Sequence, residues 1–163
     1  MNNVLKLASV LAVVGCSKTP EEDPFEGPGW DAATGLLEPQ EEYLVGITHL
    51  RVKNLPGPGK KFGDHAEAVA TWLFENEPEG WVGVSFRNIG RLDWWTLTVW
   101  ESEDAQMAFL VSEAHAAAML DLETVSKGAE SRSLWVGADE VAPSWDTALE
   151  WLAETRDFTY GEL

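Results

Sequence analysis

Residues 94–119 read Trp-Trp-Thr-Leu-Thr-Val-Trp-Glu-Ser-Glu-Asp-Ala-Gln-Met-Ala-Phe-Leu-Val-Ser-Glu-Ala-His-Ala-Ala-Ala-Met, and their hydropathy changes period partway along. Trp94 and Trp100 fall on one parity and Trp95, Leu97 and Val99 on the other. A strand apolar on both sides belongs to a sheet covered on both faces. Ser102 then stands where a helix N-cap is wanted, and Glu103 and Asp104 in the first turn favour the helix dipole. Ser112-Glu113 repeats that start signal, so the predicted helix breaks or kinks there.

Working outward, residues 43–52 form a predicted first strand. Leu44, Thr48, Leu50 and Val52 alternate with Tyr43, Val45, Ile47, His49 and Arg51. Pro56-Gly57-Pro58-Gly59 breaks the chain, and Phe62, Ala66, Val69 and Leu73 then recur at helical spacing before Pro78. Strands are predicted over 81–88 and 92–101, joined by a turn at Gly90, and a fourth over 132–136. Pro143 and Ser144 open a last helix with Trp145, Ala148, Leu149 and Leu152 on one stripe. The order is that of an α+β, ferredoxin-like βαββαβ domain: an antiparallel four-stranded sheet with helices on one face, followed by a C-terminal helix. The second apolar face needs a cover, and a second copy of the sheet supplies one, which predicts a homodimer.

The N-terminus reads as a targeting segment. Lys6 and the free amine precede an apolar run from Leu7 to Val14, too short for the roughly 20 residues that span a bilayer. Val13-Val14-Gly15-Cys16 resembles the lipobox of bacterial lipoproteins, with residues 1–15 as signal peptide and Cys16 as the acylated residue. Ser17 rather than Asp after the cysteine points to the outer membrane, facing the periplasm or the cell surface. Cys16 is the only cysteine, which excludes an internal disulfide and thiol catalysis in the domain. From Cys16 to Glu42 the chain is acidic and broken by Pro20, Pro24, Pro28 and Pro39, and it reads as a disordered tether. Such a tether reaches at most roughly 80 Å, so the domain at 43–163 is expected to stand off the membrane.

The net charge of −17, from 28 acidic and 11 basic residues, repels phosphate backbones and excludes nucleic acid as a partner. Nine tryptophans supply large apolar areas for core, interface or pocket. His49, His65 and His115 are far apart in sequence without a His-Glu-x-x-His spacing, so no dedicated metal site is expected. Gly83-Val84-Ser85-Phe86-Arg87 lacks the second glycine of a nucleophile elbow.

The run from Trp95 to Glu101, with Ser112-Glu113-Ala114-His115 and Met119, resembles the dimeric α+β barrel proteins, in particular the antibiotic biosynthesis monooxygenase-like group. The resemblance covers about residues 43–138. It implies a pocket between helices and sheet, and either oxidation of quinol-like compounds, degradation of haem, or no activity. Haem-degrading members carry an Asn on the first strand and a Trp and an iron-ligating His on the second helix. Here Ile47 or Thr48, Phe109 and Met119 fall at those places, which disfavours haem as cofactor. Cofactor-independent members need a base, an apolar cavity and an oxyanion donor. The candidates are His115 or His49 as base, Thr48, Thr96 or Trp100 as donor, and Phe109 and Met119 as wall. For His115 a half-buried, hydrogen-bonded histidine is the competing reading. The expected function is membrane-anchored oxidation of a small aromatic or isoprenoid-like compound without metal. A module that binds a small apolar ligand without catalysis and a structural envelope protein are the alternatives.

Overall fold

The computed structural model describes residues 19–163; the proposed signal peptide and Cys16 lie outside them. Three short strands come first: β1 (Pro20–Glu22), β2 (Trp30–Asp31) and β3 (Gly35–Leu36). Then follow β4 (Glu42–Val52), α1 (Pro56–Asn76), β5 (Trp81–Ile89) and β6 (Asp93–Trp100). The second half holds α2 (Glu103–Leu110), α3 (Glu113–Leu120), α4 (Leu122–Val125) and β7 (Ser126–Gly137). A 3₁₀ turn at Ala138–Glu140, α5 (Trp145–Glu154) and β8 (Phe158–Gly161) close the chain. The βαββαβ core is present, inside a six-stranded antiparallel sheet of order β1-β5-β6-β4-β7-β8.

The helix boundaries follow the local signals. Ser102 accepts from the Ala105 N–H, Ser112 from His115 and Ser144 from Thr147, each opening a helix. The apolar stretch after Ser102 therefore splits into α2 and α3 at Ser112, as its second start signal predicts. Pro56-Gly57-Pro58-Gly59 does not separate strand from helix but forms the first turn of α1, with proline at the helix start. A proline costs little there, because its missing N–H would have no intrahelical acceptor.

One face of the sheet packs against α1 and α2 through Leu44, Trp81, Val84 and Trp100, which meet Leu73, Ala105 and Phe109. On the opposite face Tyr43, Val45, Ile47, Leu97 and Val99 lie against Trp145, Ala148 and Leu152 of α5, with Phe25, Trp30 and Leu36 beside them. This corrects the sequence argument for a second copy. The two-sided hydrophobicity of β6 is real, but the same chain covers the second face with its C-terminal helix and N-terminal arm.

The acidic segment expected as a tether is part of the fold from Pro20 onward. β1 pairs with the edge strand β5, and Glu26 and Val84 exchange backbone hydrogen bonds at 3.0 and 2.8 Å. Gly27 makes this approach possible, since a Cβ there would lie 2.3 Å from the Gly83 Cα. Composition misled because few apolar residues suffice when an edge strand offers unpaired backbone donors and acceptors. The fourth core strand is also longer than the apolar alternation at 132–136, and β8 pairs with its outer edge. Lys127, Gly128 and Glu130 carry no strand signal; pairing to β4 and β8 holds them extended.

Candidate functional site

The helix-side face of the sheet is not fully covered. Thr48 is exposed although β4 is paired on both sides, to β6 and β7. A residue at the centre of a sheet meets solvent only where the overlying layer leaves a gap. The row through it runs Phe86, Thr96, Thr48 and Ser131 across β5, β6, β4 and β7. The neighbouring row holds Thr98, Gly46 and Ser133, so the floor is small and rich in hydroxyls. Aromatic clusters bound it along β6: Trp94 meets Phe62 of α1 at 5.4 Å, and Trp100 stacks on Phe109 of α2 at 5.3 Å.

Phe109 connects this floor to His115. Its ring lies 4.8 Å from the His115 ring and 6.1 Å from Trp72. His115 Nδ1 is 3.0 Å from the Leu110 carbonyl oxygen, an arrangement satisfied when Nδ1 carries the proton and donates it. The lone pair is then on Nε2. Burial lowers the His115 pKa from its ordinary 6.5, with the Leu110 hydrogen bond acting weakly in the opposite direction. The neutral imidazole is thus favoured near neutral pH.

Among the other residues singled out from sequence, Trp100 is fully buried and its indole N–H is already taken by the Thr98 hydroxyl at 3.0 Å. It is therefore part of the packed core and not a free donor. The Thr48 and Thr96 side chains have no protein partner among the described residues. Met119 is 46 % exposed on α3, a helix with no buried residue. Met107, Leu110, Val111 and Leu120, in α2, α3 and the link between them, are exposed as well. Of the two helix positions weighed for haem, Phe109 is packed among aromatic rings and Met119 is an exposed thioether.

His49 is on the opposite face. It is buried, stacked on Trp95 at 4.1 Å, with Nδ1 3.2 Å from Glu130 and Nε2 3.5 Å from Asp93. Arg156 pairs with the second oxygen of Glu130, and the Arg87 guanidinium lies 5.8 Å from the Trp95 ring centre. The row Glu22, Arg87, Trp95, His49 and Glu130 crosses five strands and joins them by charge and stacking. The sheet thus separates the two histidines that sequence offered as bases.

One charged cluster had no sequence signal. Asp121, between α3 and α4, accepts from Lys61 at 2.7 Å and lies 2.8 Å from His65 Nε2. The Lys61 hydrogen bond, followed by that of His65, lowers the Asp121 pKa below its ordinary value. The partners are 60 and 56 residues away, too far for any local motif to show. Among the described residues no group of three or more His, Cys, Asp or Glu is arranged to hold a metal ion. A groove of about 250 Å³ lies elsewhere, lined in part by Leu36, Glu79, Trp81 and Glu101. None of the sequence candidates lines it.

No protein-family model matches the chain, and no curated protein sequence does. Solved structures do. A "putative monooxygenase" from Lactobacillus acidophilus NCFM aligns with a TM-score of 0.50 at 11 % identity, over 62 % of this chain and 50 % of that one. A "putative antibiotic biosynthesis monooxygenase" from Caulobacter crescentus aligns at 0.47 and 15 % identity, over 61 % and 92 %. SnoaB, a cofactor-independent oxygenase from Streptomyces nogalater, aligns at 0.40 and 15 % identity, over 60 % and 92 %. The likeness is carried by the first of these, and it is one of architecture: this chain has the ferredoxin-like α+β fold of monooxygenase-like proteins.

Proposed function

We propose that the helix-side cleft takes a small electron-rich aromatic or isoprenoid-like compound and that His115 is the base for its oxidation by O₂ without metal. The observation that carries this reading is the Leu110 carbonyl at His115 Nδ1, which leaves Nε2 as a neutral acceptor in a half-buried site. A bound phenol or quinol gives its proton to Nε2. The resulting carbanion passes electrons to O₂, and the Thr48 and Thr96 hydroxyls are donors for the developing oxyanion. One oxygen atom enters the product as a carbonyl and the other leaves as water. Phe109 supplies apolar wall.

The test is oxygen uptake with a panel of quinols and anthrones, comparing the wild type with His115→Ala. A loss of about 10²-fold or more is expected for removal of a general base. Equal rates would remove His115 from that role. Uptake in neither protein, together with retained binding of the same compounds by calorimetry, would favour the second reading. In that reading the cleft binds a small apolar ligand without turnover, with Phe109 at its edge.

The proposal includes acylation at Cys16 and residence in the bacterial envelope, at the outer membrane, supported by the Val13-Val14-Gly15-Cys16 motif. Homodimerisation is kept in a changed form. Because α5 fills the second face, a dimer would have to form through another surface. A monomer mass by light scattering at micromolar concentration would end that part of the reading.

A further inference from the structure

We propose that the domain lies directly on the membrane, with the end of the sheet that carries the β5–β6 turn against an anionic phospholipid surface. This rests on the reading of Cys16 as the acylated residue.

Docking of β1 onto β5 leaves only Ser17, Lys18 and Thr19 between Cys16 and Pro20. Those residues span at most about 14 Å, so the long tether suggested by composition does not exist. The register then says which end is held. Pro20 pairs with Ile89, next to the turn at Gly90, and Ile89 pairs with Asp93. Arg51 pairs with both Asp93 and Gly128, and Gly128 with Gly161. These positions all lie at one end of the sheet, where α1 also begins.

Six of the chain's 11 basic residues are gathered at or near that end: Arg51, Lys53, Lys60, Lys61, Arg91 and Lys127. Acidic groups lie there too. Asp93, Asp64 and Asp121 pair with Arg51, Lys60 and Lys61. Glu21, Glu123 and Glu162 are also close, the first opposite Asn88, the second through its carbonyl to Lys53 and the third through its N–H to the Lys127 carbonyl. The end is thus near neutrality: the exposed side chains of Arg91 and Lys127 have no carboxylate partner among the described residues, and those of Glu21, Glu123 and Glu162 have no cationic one. The far end carries Glu41, Glu42, Glu79, Glu101, Asp139 and Glu140 and no lysine or arginine. An anionic surface repels the acidic far end and, within a Debye length, leaves the near-neutral end with Arg91 and Lys127 as the one that can approach. Tether and field therefore select the same orientation. No helix among the described residues is long and apolar enough to cross a bilayer.

The test uses the full chain, made in a bacterial host and shown by intact mass to be acylated, in vesicles of phosphatidylcholine with a minority of phosphatidylglycerol. Acylation occupies the native thiol, so single dyes can be placed through Asn54→Cys at the near end and Asp139→Cys at the far end. These sites are separated by roughly the length of an eleven-residue strand, about 35 Å. Energy transfer to a headgroup acceptor should be several-fold greater from position 54. Adding Arg91→Glu with Lys127→Glu should shrink that difference at least twofold. Equal transfer from both positions in an acylated protein would overturn the orientation while leaving the anchor intact. An unchanged difference in the charge-reversed protein would overturn the role of the cations. An unacylated Cys16 would remove the anchor and the proposal with it.

Discussion

Trp145 on α5 donates its indole N–H to the Ser85 hydroxyl on β5 at 3.1 Å, inside the second face of the sheet. Ser85 in turn donates to the Asp23 carbonyl of the N-terminal arm at 2.7 Å. One hydroxyl thus links the last helix, the sheet and the first segment. This explains how a face that could have met a second copy is closed by the chain itself. It also gives Ser85 a structural place, consistent with the missing glycine of a nucleophile elbow.

Truncating Trp145 should therefore cost more than an average substitution. Trp145→Ala removes a buried aromatic from the core and is expected to lower stability by about 3–5 kcal/mol. Trp145→Phe keeps most of the apolar volume and loses the bond to Ser85, at about 1–2 kcal/mol. Urea unfolding measures both. Similar midpoints for the two variants would mean that packing at this position contributes little.

Thr48→Leu tests the gap in the helix layer. Thr48 is exposed, so folding should tolerate the change within about 0.5 kcal/mol. The larger side chain would occupy the floor of the cleft and weaken binding of any small aromatic compound that occupies it, by tenfold or more. Calorimetric titration beside thermal unfolding separates the two effects. Unchanged affinity would place the ligand elsewhere.

The pH dependence of turnover follows from His115. Its folded pKa is below 6.5, so the base is neutral at pH 7 and activity should fall only on the acid side, through that lowered value. The same shift acts on stability. Below pH 6.5 the unfolded chain binds the proton more readily than the folded one, so this group's contribution weakens as pH falls. His115→Gln should remove both dependences. A rate profile whose acid limb lies above pH 6.5 would contradict the assignment.

The N-terminal arm should hold better as pH falls. Burial, then repulsion from Glu26 and Glu21, raises the Asp23 pKa above its ordinary 3.8. A raised carboxyl pKa contributes stability below 3.8, and that contribution is lost as pH rises through the folded value. Asp23→Asn is accordingly expected to slow amide exchange at Glu26 and Val84 at neutral pH. Gly27→Ala should accelerate it by forcing the Gly27 backbone away from Gly83. Equal exchange in the wild type and both variants would show that the arm is held by other contacts.

The parts of the fold that sequence announced are those whose signals are local. The alternation in β4 and β6, the capping serines at 102, 112 and 144, and the stripe of α5 each involve residues within a few positions of one another. The arm, β8 and most of β7 were hidden because their strand state comes from pairing with a distant neighbour. The candidate site divides in the same way. His115, Phe109 and the threonines were visible as residue types, whereas their neighbours were not. Only the tertiary structure placed His49 behind the sheet and gave the Trp100 N–H to Thr98.

By itself the sequence determined the βαββαβ core, the two-sided hydrophobicity of β6 and the split helix beginning at Ser102. Periodicity and caps are properties of neighbouring residues. The tertiary structure alone decided what covers the second face, where the cleft opens and how short the link to Cys16 is. Those outcomes depend on which distant surfaces meet, and hydropathy states that a face must be buried without stating against what.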